Sequence, residues 1–139
     1  MTPLAHRRTR PDPFALLIVL LAAALSLTDL AAQSLWTDEG MSTWVARLPL
    51  ASQLALLRHT APNPLHYVAL SGWMRVAGSS EFSLRFLSAL GATLAVALIY
   101  RLGRDLGGRR AGLIAAGLLA IHPLRIYYAQ EARAYAWLA

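Results

Sequence analysis

The sequence predicts an all-α polytopic membrane protein, with three transmembrane helices and amphipathic interfacial helices in the first external loop. Three observations carry this. The 139 residues are 57% hydrophobic and only 14% charged, whereas a soluble domain carries about 25% charged residues. The shortfall is uneven: long stretches hold no charge at all, and the mean hydropathy is +0.46, as expected when lipid is the solvent. Every basic residue is an arginine, the net charge is +6, and the arginines cluster beside the apolar runs. In a soluble chain that excess would point to nucleic acid; here the positive-inside bias of membrane proteins explains it more simply. With no cysteine, disulfide and thiolate chemistry are excluded.

The first span is read from Pro13 through "PFALLIVLLAAALSLT" to about residue 34, preceded by Arg7, Arg8 and Arg10. A cleaved signal peptide has the same outline, but the apolar run is long for one and "AAQ" fits the A-x-A cleavage pattern poorly. The second span, about 82–103, is "FSLRFLSALGATLAVALIY" and carries Arg85. The third, about 109–128, begins "AGLIAAGLLAIHPL" and continues through "RIYYA". Small residues are frequent in both, as close helix packing in lipid requires. The stretch "NPLHYVALSGWMRVAG" (63–78) is also apolar, but the arginines argue against a fourth crossing. "RLGRDLGGRR" (101–110) and the N-terminus are both arginine-rich and so belong to the cytoplasmic side. Two segments on one side are separated by an even number of crossings, so 63–78 becomes an interfacial helix, with Asn63 as N-cap and Pro64 at its first position.

An external loop of about 35–81 follows. It includes "PLASQLALLRHT", where Leu50, Leu54 and Leu57 recur at helical spacing on one face. Gly103, Gly107 and Gly108 flank a cytoplasmic turn, and His122-Pro123 marks a kink near the outer end of the third span. The closing "YAWLA" is apolar and uncapped, as expected of the N-terminal part of a longer protein or of a truncated gene product. The whole of 1–139 is thus read as the N-terminal part of one membrane module.

This topology sets the acid pair Asp38-Glu39 of "TDEG", after the first span, on the same side of the membrane as Glu131, after the third. Taken singly, each has a structural explanation: an acid in a first helical turn favours the helix dipole, and Glu131 has Arg133 beside it. Together on one face, Asp38, Glu39 and Glu131 form a candidate acid–base or metal site. Arg58, His59, His66, Arg75, Arg125 and Arg133 are available on that face to hold phosphate. Trp36, Trp44, Tyr67, Trp73, Tyr127, Tyr128 and Tyr135 suit the headgroup belt. No H-x-x-H or H-E-x-x-H spacing occurs, so hydrogen bonding explains the histidines more simply than metal ligation.

In its order of basic N-terminus, span, "TDE", amphipathic loop, "PNPLHY" and "GSSEFSLRFLSALGATLAVALIYRLGRDLGGRRAGLIAAGLLAIHPLRIYYAQEARAYAW", the chain resembles the N-terminal third of the GT-C glycosyltransferase superfamily. It is closest to bacterial membrane enzymes of the protein mannosyltransferase and lipid A aminoarabinose transferase type (glycosyltransferase family 39-like). The resemblance runs from about residue 14 to the end. Its most specific parts are the acid pair, "RFLSALG" and "YYAQEARAY".

The resemblance implies inverting transfer of a sugar from a polyprenyl-phosphate-linked donor to a lipid, glycan or protein acceptor. The reaction would take place on the outer face of a bacterial inner membrane, with the N-terminus cytoplasmic and no nucleic acid involved. Asp38 would be the general base, with Glu39 beside it. Glu131 would help bind acceptor, sugar or a metal. Arg58, His59, His66, Arg125 and Arg133 would hold the donor phosphate, and Mg or Mn at Asp38 and Glu131 is the cofactor in question. One departure stands out: Pro62 and Asn63 replace the His-Pro that relatives often carry before the second span, which leaves His66 or His59 to take that histidine's place. Two other classes fit the same spans, a non-catalytic remnant or assembly subunit and a transporter fragment. A transporter would be expected to carry polar or broken helices at mid-membrane, where these spans are bland.

Overall fold

The computed structural model describes residues 12–32, 34–60 and 64–133. The described chain is helical, with no strand among the described residues: α1 (Pro13–Leu27), α2 (Thr37–Arg47), α3 (Leu50–Thr60), α4 (Pro64–Ala77), α5 (Glu81–Ala120) and α6 (Pro123–Ala129).

Each end of α1 follows from its residues. The Asp12 carboxylate accepts from the Phe14 N–H at 3.0 Å, which caps the first turn, and Pro13 sits where a missing N–H costs nothing. The helix stops at Leu27, short of the span expected to reach about residue 34. There the Thr28 hydroxyl donates to the Leu25 carbonyl at 2.9 Å, offering the backbone a local alternative to further helix. Asp29 follows with φ of 55° and turns the chain.

α5 doubles back on itself. Gly108 has φ 81° and ψ 177°, a conformation open in practice only to glycine, and it separates an arm of 81–107 from an arm of 109–120. The arms touch backbone to backbone. A methyl group on Gly112 would lie 2.6 Å from the Tyr100 carbonyl oxygen, and one on Gly103 would lie 2.9 Å from the Gly112 Cα. The turn is therefore made by Gly108, while Gly103 serves the contact between the arms rather than the turn. The second arm ends where His122 adopts extended backbone and Pro123 opens α6, since proline cannot continue the preceding ladder. By length and composition α5 is long and apolar enough to cross a membrane; α1 is apolar but spans 15 residues, or about 22 Å.

α1 lies along both arms. Ala22, Val96, Ala116 and Ala120 form the buried seam, flanked by Ile18, Val19, Ile99 and Tyr100; small side chains here let the helix axes approach closely. The outward faces stay apolar, with Leu16, Leu17, Leu20, Leu94, Leu98 and Leu118 all exposed. At the turn end of this bundle, Asp12 accepts from the Tyr100 hydroxyl at 3.1 Å and from Arg109 at 2.5 Å. The Arg109 guanidinium, against the opposing pull of desolvation and with help from Tyr100 and the Phe14 N–H, holds the Asp12 carboxyl down at about 2.

The opposite end carries α2, α3 and α4. Ala46, Leu70, Leu84, Leu87 and Ala132 form its core. The Trp73 indole stacks on Phe86 at 5.8 Å and donates to the Ser83 carbonyl at 2.9 Å. On α3 the expected Leu50, Leu54, Leu57 face divides: Leu57 is buried, but Leu50 and Leu54 are exposed and Gln53 is buried in their place. The Gln53 amide bridges the Val45 carbonyl of α2 and the Tyr67 carbonyl of α4, at 3.3 and 3.2 Å, which compensates its desolvation. α4 begins at Pro64 as expected; its expected cap, Asn63, lies outside the described residues.

Candidate functional site

α2 opens with its acids in the first turn. The Glu39 carboxylate reaches back to accept from the Trp36 N–H at 3.1 Å, which satisfies one of the donors a helix N-terminus leaves open. The same carboxylate is gripped from two other elements. Arg85 of α5 donates to it through both Nε (3.0 Å) and Nη2 (2.8 Å), and the Ala132 N–H donates at 2.8 Å from 93 positions away. Arg85 also donates to the carbonyls of Leu30 (2.9 Å) and Ser34 (3.3 Å). The side chains of Arg85 and Glu39 are 4% and 2% exposed. Burial alone would push the Glu39 carboxyl up, but the hydrogen bonds from Arg85, Ala132 and Trp36 outweigh it, and the group sits below the usual carboxylate range. Four segments therefore meet on one ion pair: the chain leaving α1, the start of α2, the first arm of α5 and the chain leaving α6.

Beside this pair opens a cavity of about 300 Å³, lined by Asp29, Ala32, Trp36, Glu39, Arg85, Tyr127, Gln130 and Glu131. The size is at the small end of ligand pockets, and the lining combines carboxylates with aromatic rings. Glu131 has one carboxylate oxygen, Oε2, buried without a hydrogen-bond partner. Gln130 fixes the cavity wall by donating to the Leu25 and Thr28 carbonyls at 3.2 and 3.1 Å, which closes the C-terminal end of α1. Asp38 stands next to Glu39 but faces outward, 63% exposed, and is held by Arg133 Nη2 at 2.5 Å.

Asp38, Glu39, Glu131 and Arg133 thus come together at one end of the bundle. Arg125 sits further in along α1. It is buried and donates through Nη2 to the Ala22 carbonyl (2.9 Å) and the Ser26 hydroxyl (2.8 Å), while its Nε and Nη1 have no partner. Arg58 and His59 lie exposed in the last turn of α3. His66 is buried on α4 with neither ring nitrogen partnered, and burial pushes it from 6.5 down to about 4. None of these last four lines the cavity. Among the described residues no three metal-ligating side chains converge, and Asp38 is already taken by a cation. Arg133 would have to release Asp38 before Asp38 and Glu131 could hold Mg²⁺ or Mn²⁺, and such an octahedral ion would complete its shell with water and substrate phosphate.

Sequence reasoning passed over Arg85, Asp29 and Gln130. Arg85 carried a signal: a charge inside an apolar span is costly unless paired, and few acids are available to pair it. Asp29 and Gln130 carried none, because their place in the cavity depends on how α1 and α6 end side by side.

Neither curated proteins nor solved structures offer a match to this chain. A family match, in contrast, covers residues 59–134, from the end of α3 past the Glu131 corner of the cavity. Spanning more than half of the chain, it places the protein in the dolichyl-phosphate-mannose-protein mannosyltransferase family, membrane glycosyltransferases of the GT-C type.

Proposed function

We propose that the cavity end of this chain faces the outside of a bacterial inner membrane and takes part in inverting sugar transfer from a polyprenyl-phosphate-linked donor to a lipid, glycan or protein acceptor. The observation that carries the reading is the meeting of Glu39 and Glu131 at one cavity, with Asp38 beside them at the same end of the bundle, although the acids lie about ninety residues apart in sequence. In this reading α1 and the two arms of α5, the second continued by α6, make three crossings with the N-terminus cytoplasmic. Their exposed leucines face lipid, the arginine-rich turn around Gly108 lies inside, and α2 to α4 rest in the outer headgroup layer. Residues 1–139 form the N-terminal part of the transferase module.

The chemistry follows from the side chains. Asp38 Oδ takes the proton from an acceptor hydroxyl, and the resulting oxygen attacks the anomeric carbon from the face opposite the phosphate. The bond from that carbon to the phosphate oxygen breaks, and the lipid phosphate leaves with the electron pair, so the configuration inverts. Arg133 is the cation best placed to stabilise the leaving phosphate, while Arg125, Arg58, His59 and His66 stand away from the cavity lining. Glu131, with its free buried oxygen, orients acceptor or sugar against Trp36 and Tyr127. Glu39 is fully engaged by Arg85 and two backbone N–H groups, so its part is to fix the backbone on which Asp38 stands. Asp38→Asn in the full-length protein is expected to abolish transfer to a measured acceptor while leaving the protein folded and membrane-inserted. Transfer at the wild-type rate would reject Asp38 as the base.

A further inference from the structure

We infer that Arg133 is shared between two anions: it occupies Asp38 in the resting protein and moves to the phosphate of the lipid-linked donor when that binds, so donor binding uncovers the base. This rests on the sugar-transfer reading above and adds a binding order to it.

Two neighbouring ion pairs at this end of the bundle differ in kind. Arg85–Glu39 is sealed, with side chains 4% and 2% exposed and the bonds from Arg85 and the Ala132 N–H buried. Arg133–Asp38 is open, with side chains 31% and 63% exposed. An exposed pair holds its partners weakly and exchanges readily with other ions. The main chain under Arg133 is nonetheless pinned: its carbonyl accepts from the Ser88 hydroxyl at 3.3 Å, its N–H donates to the Glu131 carbonyl at 2.9 Å, and the preceding Ala132 N–H is on Glu39. From this anchor beside the cavity the side chain reaches the surface at Asp38.

While Arg133 Nη2 stands on Asp38 Oδ2, that oxygen is unavailable to an acceptor hydroxyl. Phosphate offers a guanidinium the same fork geometry as a carboxylate, with more oxygens. A phosphate entering the cavity meets Asp29 and Glu131 without a free counter-charge, because Arg85 is committed to Glu39. It must therefore draw a cation in, and Arg133, close to Glu131 in the chain and half-buried in its open pair with Asp38, is at hand.

The exchange is tested by binding, without turnover. The full chain in phosphatidylcholine nanodiscs is titrated with a short-chain polyprenyl monophosphate, and in parallel with inorganic phosphate, for wild type, Asp38→Asn, Arg133→Gln, Arg133→Lys and the Asp38→Asn/Arg133→Gln double variant. Asp38→Asn should bind the lipid phosphate about tenfold more tightly, the size of one charge-assisted hydrogen bond. Arg133→Gln should bind it about tenfold more weakly, Arg133→Lys should fall between, and the double variant should match Arg133→Gln alone. The gain in Asp38→Asn also shows that this variant is folded. The same pattern with inorganic phosphate supports the exchange with free phosphate as a sufficient trigger. An Asp38→Asn affinity equal to wild type, or effects that simply add in the double variant, would overturn the exchange and leave sugar transfer standing. A wild-type chain that binds no polyprenyl phosphate would overturn both.

Discussion

Glu39→Gln keeps the size of the side chain and removes its charge, so it isolates what the buried ion pair contributes. Arg85 would keep its bonds to the Leu30 and Ser34 carbonyls but lose the carboxylate it is ion-paired with, while its side chain is 4% exposed. Leaving one member of a buried pair uncompensated costs about 3–5 kcal/mol, a large share of the roughly 5–15 kcal/mol that holds a typical domain folded. At about 3 °C per kcal/mol for a chain of this length, the expected loss is roughly 10 °C or more in Tm, followed by tryptophan fluorescence in detergent. Two controls sharpen the test. Replacing both partners, as in Glu39→Leu/Arg85→Leu, should cost less than the two single changes together, because no orphaned charge remains. The pH dependence should also change in a defined sense. The folded carboxyl lies below its ordinary 4.5, so its contribution is complete above pH 4.5 and is lost as pH falls through the folded value; Glu39→Gln should flatten the stability curve there. A Tm loss under about 2 °C, equivalent to less than 1 kcal/mol, would refute the claim that this pair ties the loop end together.

Two further outcomes follow from the packing. Gly112→Ala places a methyl 2.6 Å from the Tyr100 carbonyl, so the arms of α5 must part, at a cost of about 1–3 kcal/mol; thermal unfolding at neutral pH checks it, and an unchanged Tm would mean the arms are not in backbone contact. His66→Leu should be neutral or stabilising at pH 7, since both ring nitrogens are buried without partners and the ring is uncharged there. With the folded group at about 4 against 6.5 when free, wild-type stability is complete above pH 6.5 and falls, by at most about 3 kcal/mol, as pH drops toward 4. His66→Leu should abolish that slope between pH 7 and pH 4.5, and an unaltered slope would place the titrating group elsewhere.

Much of the site's rough position was legible in the sequence, and the reason is topological. The arginine-rich segments led to the expectation that Asp38 and Glu131 share one side of a membrane, and in the structure the chain leaving α1 and the chain leaving α6 do meet at the same end of the bundle. The roles within the acid pair were not legible. Asp38 and Glu39 are adjacent, identical in charge and equally suited to a first helical turn. Only the contacts distinguish them, with Glu39 turned inward onto Arg85 and Ala132, and Asp38 outward onto Arg133.

By itself the sequence determined the helical class, the apolar rods, a glycine-rich turn between residues 103 and 108 and the break at Pro123, because periodicity, charge distribution and the backbone limits of glycine and proline act locally. Tertiary structure alone decided that Gly103 packs rather than turns, that Gln53 displaces two leucines from the inner face of α3, and that Asp29, Gln130 and Glu131 share a cavity wall. Each of these depends on which helix lies alongside, and burial and hydrogen-bond partners across such contacts are properties of the packed pair rather than of either segment.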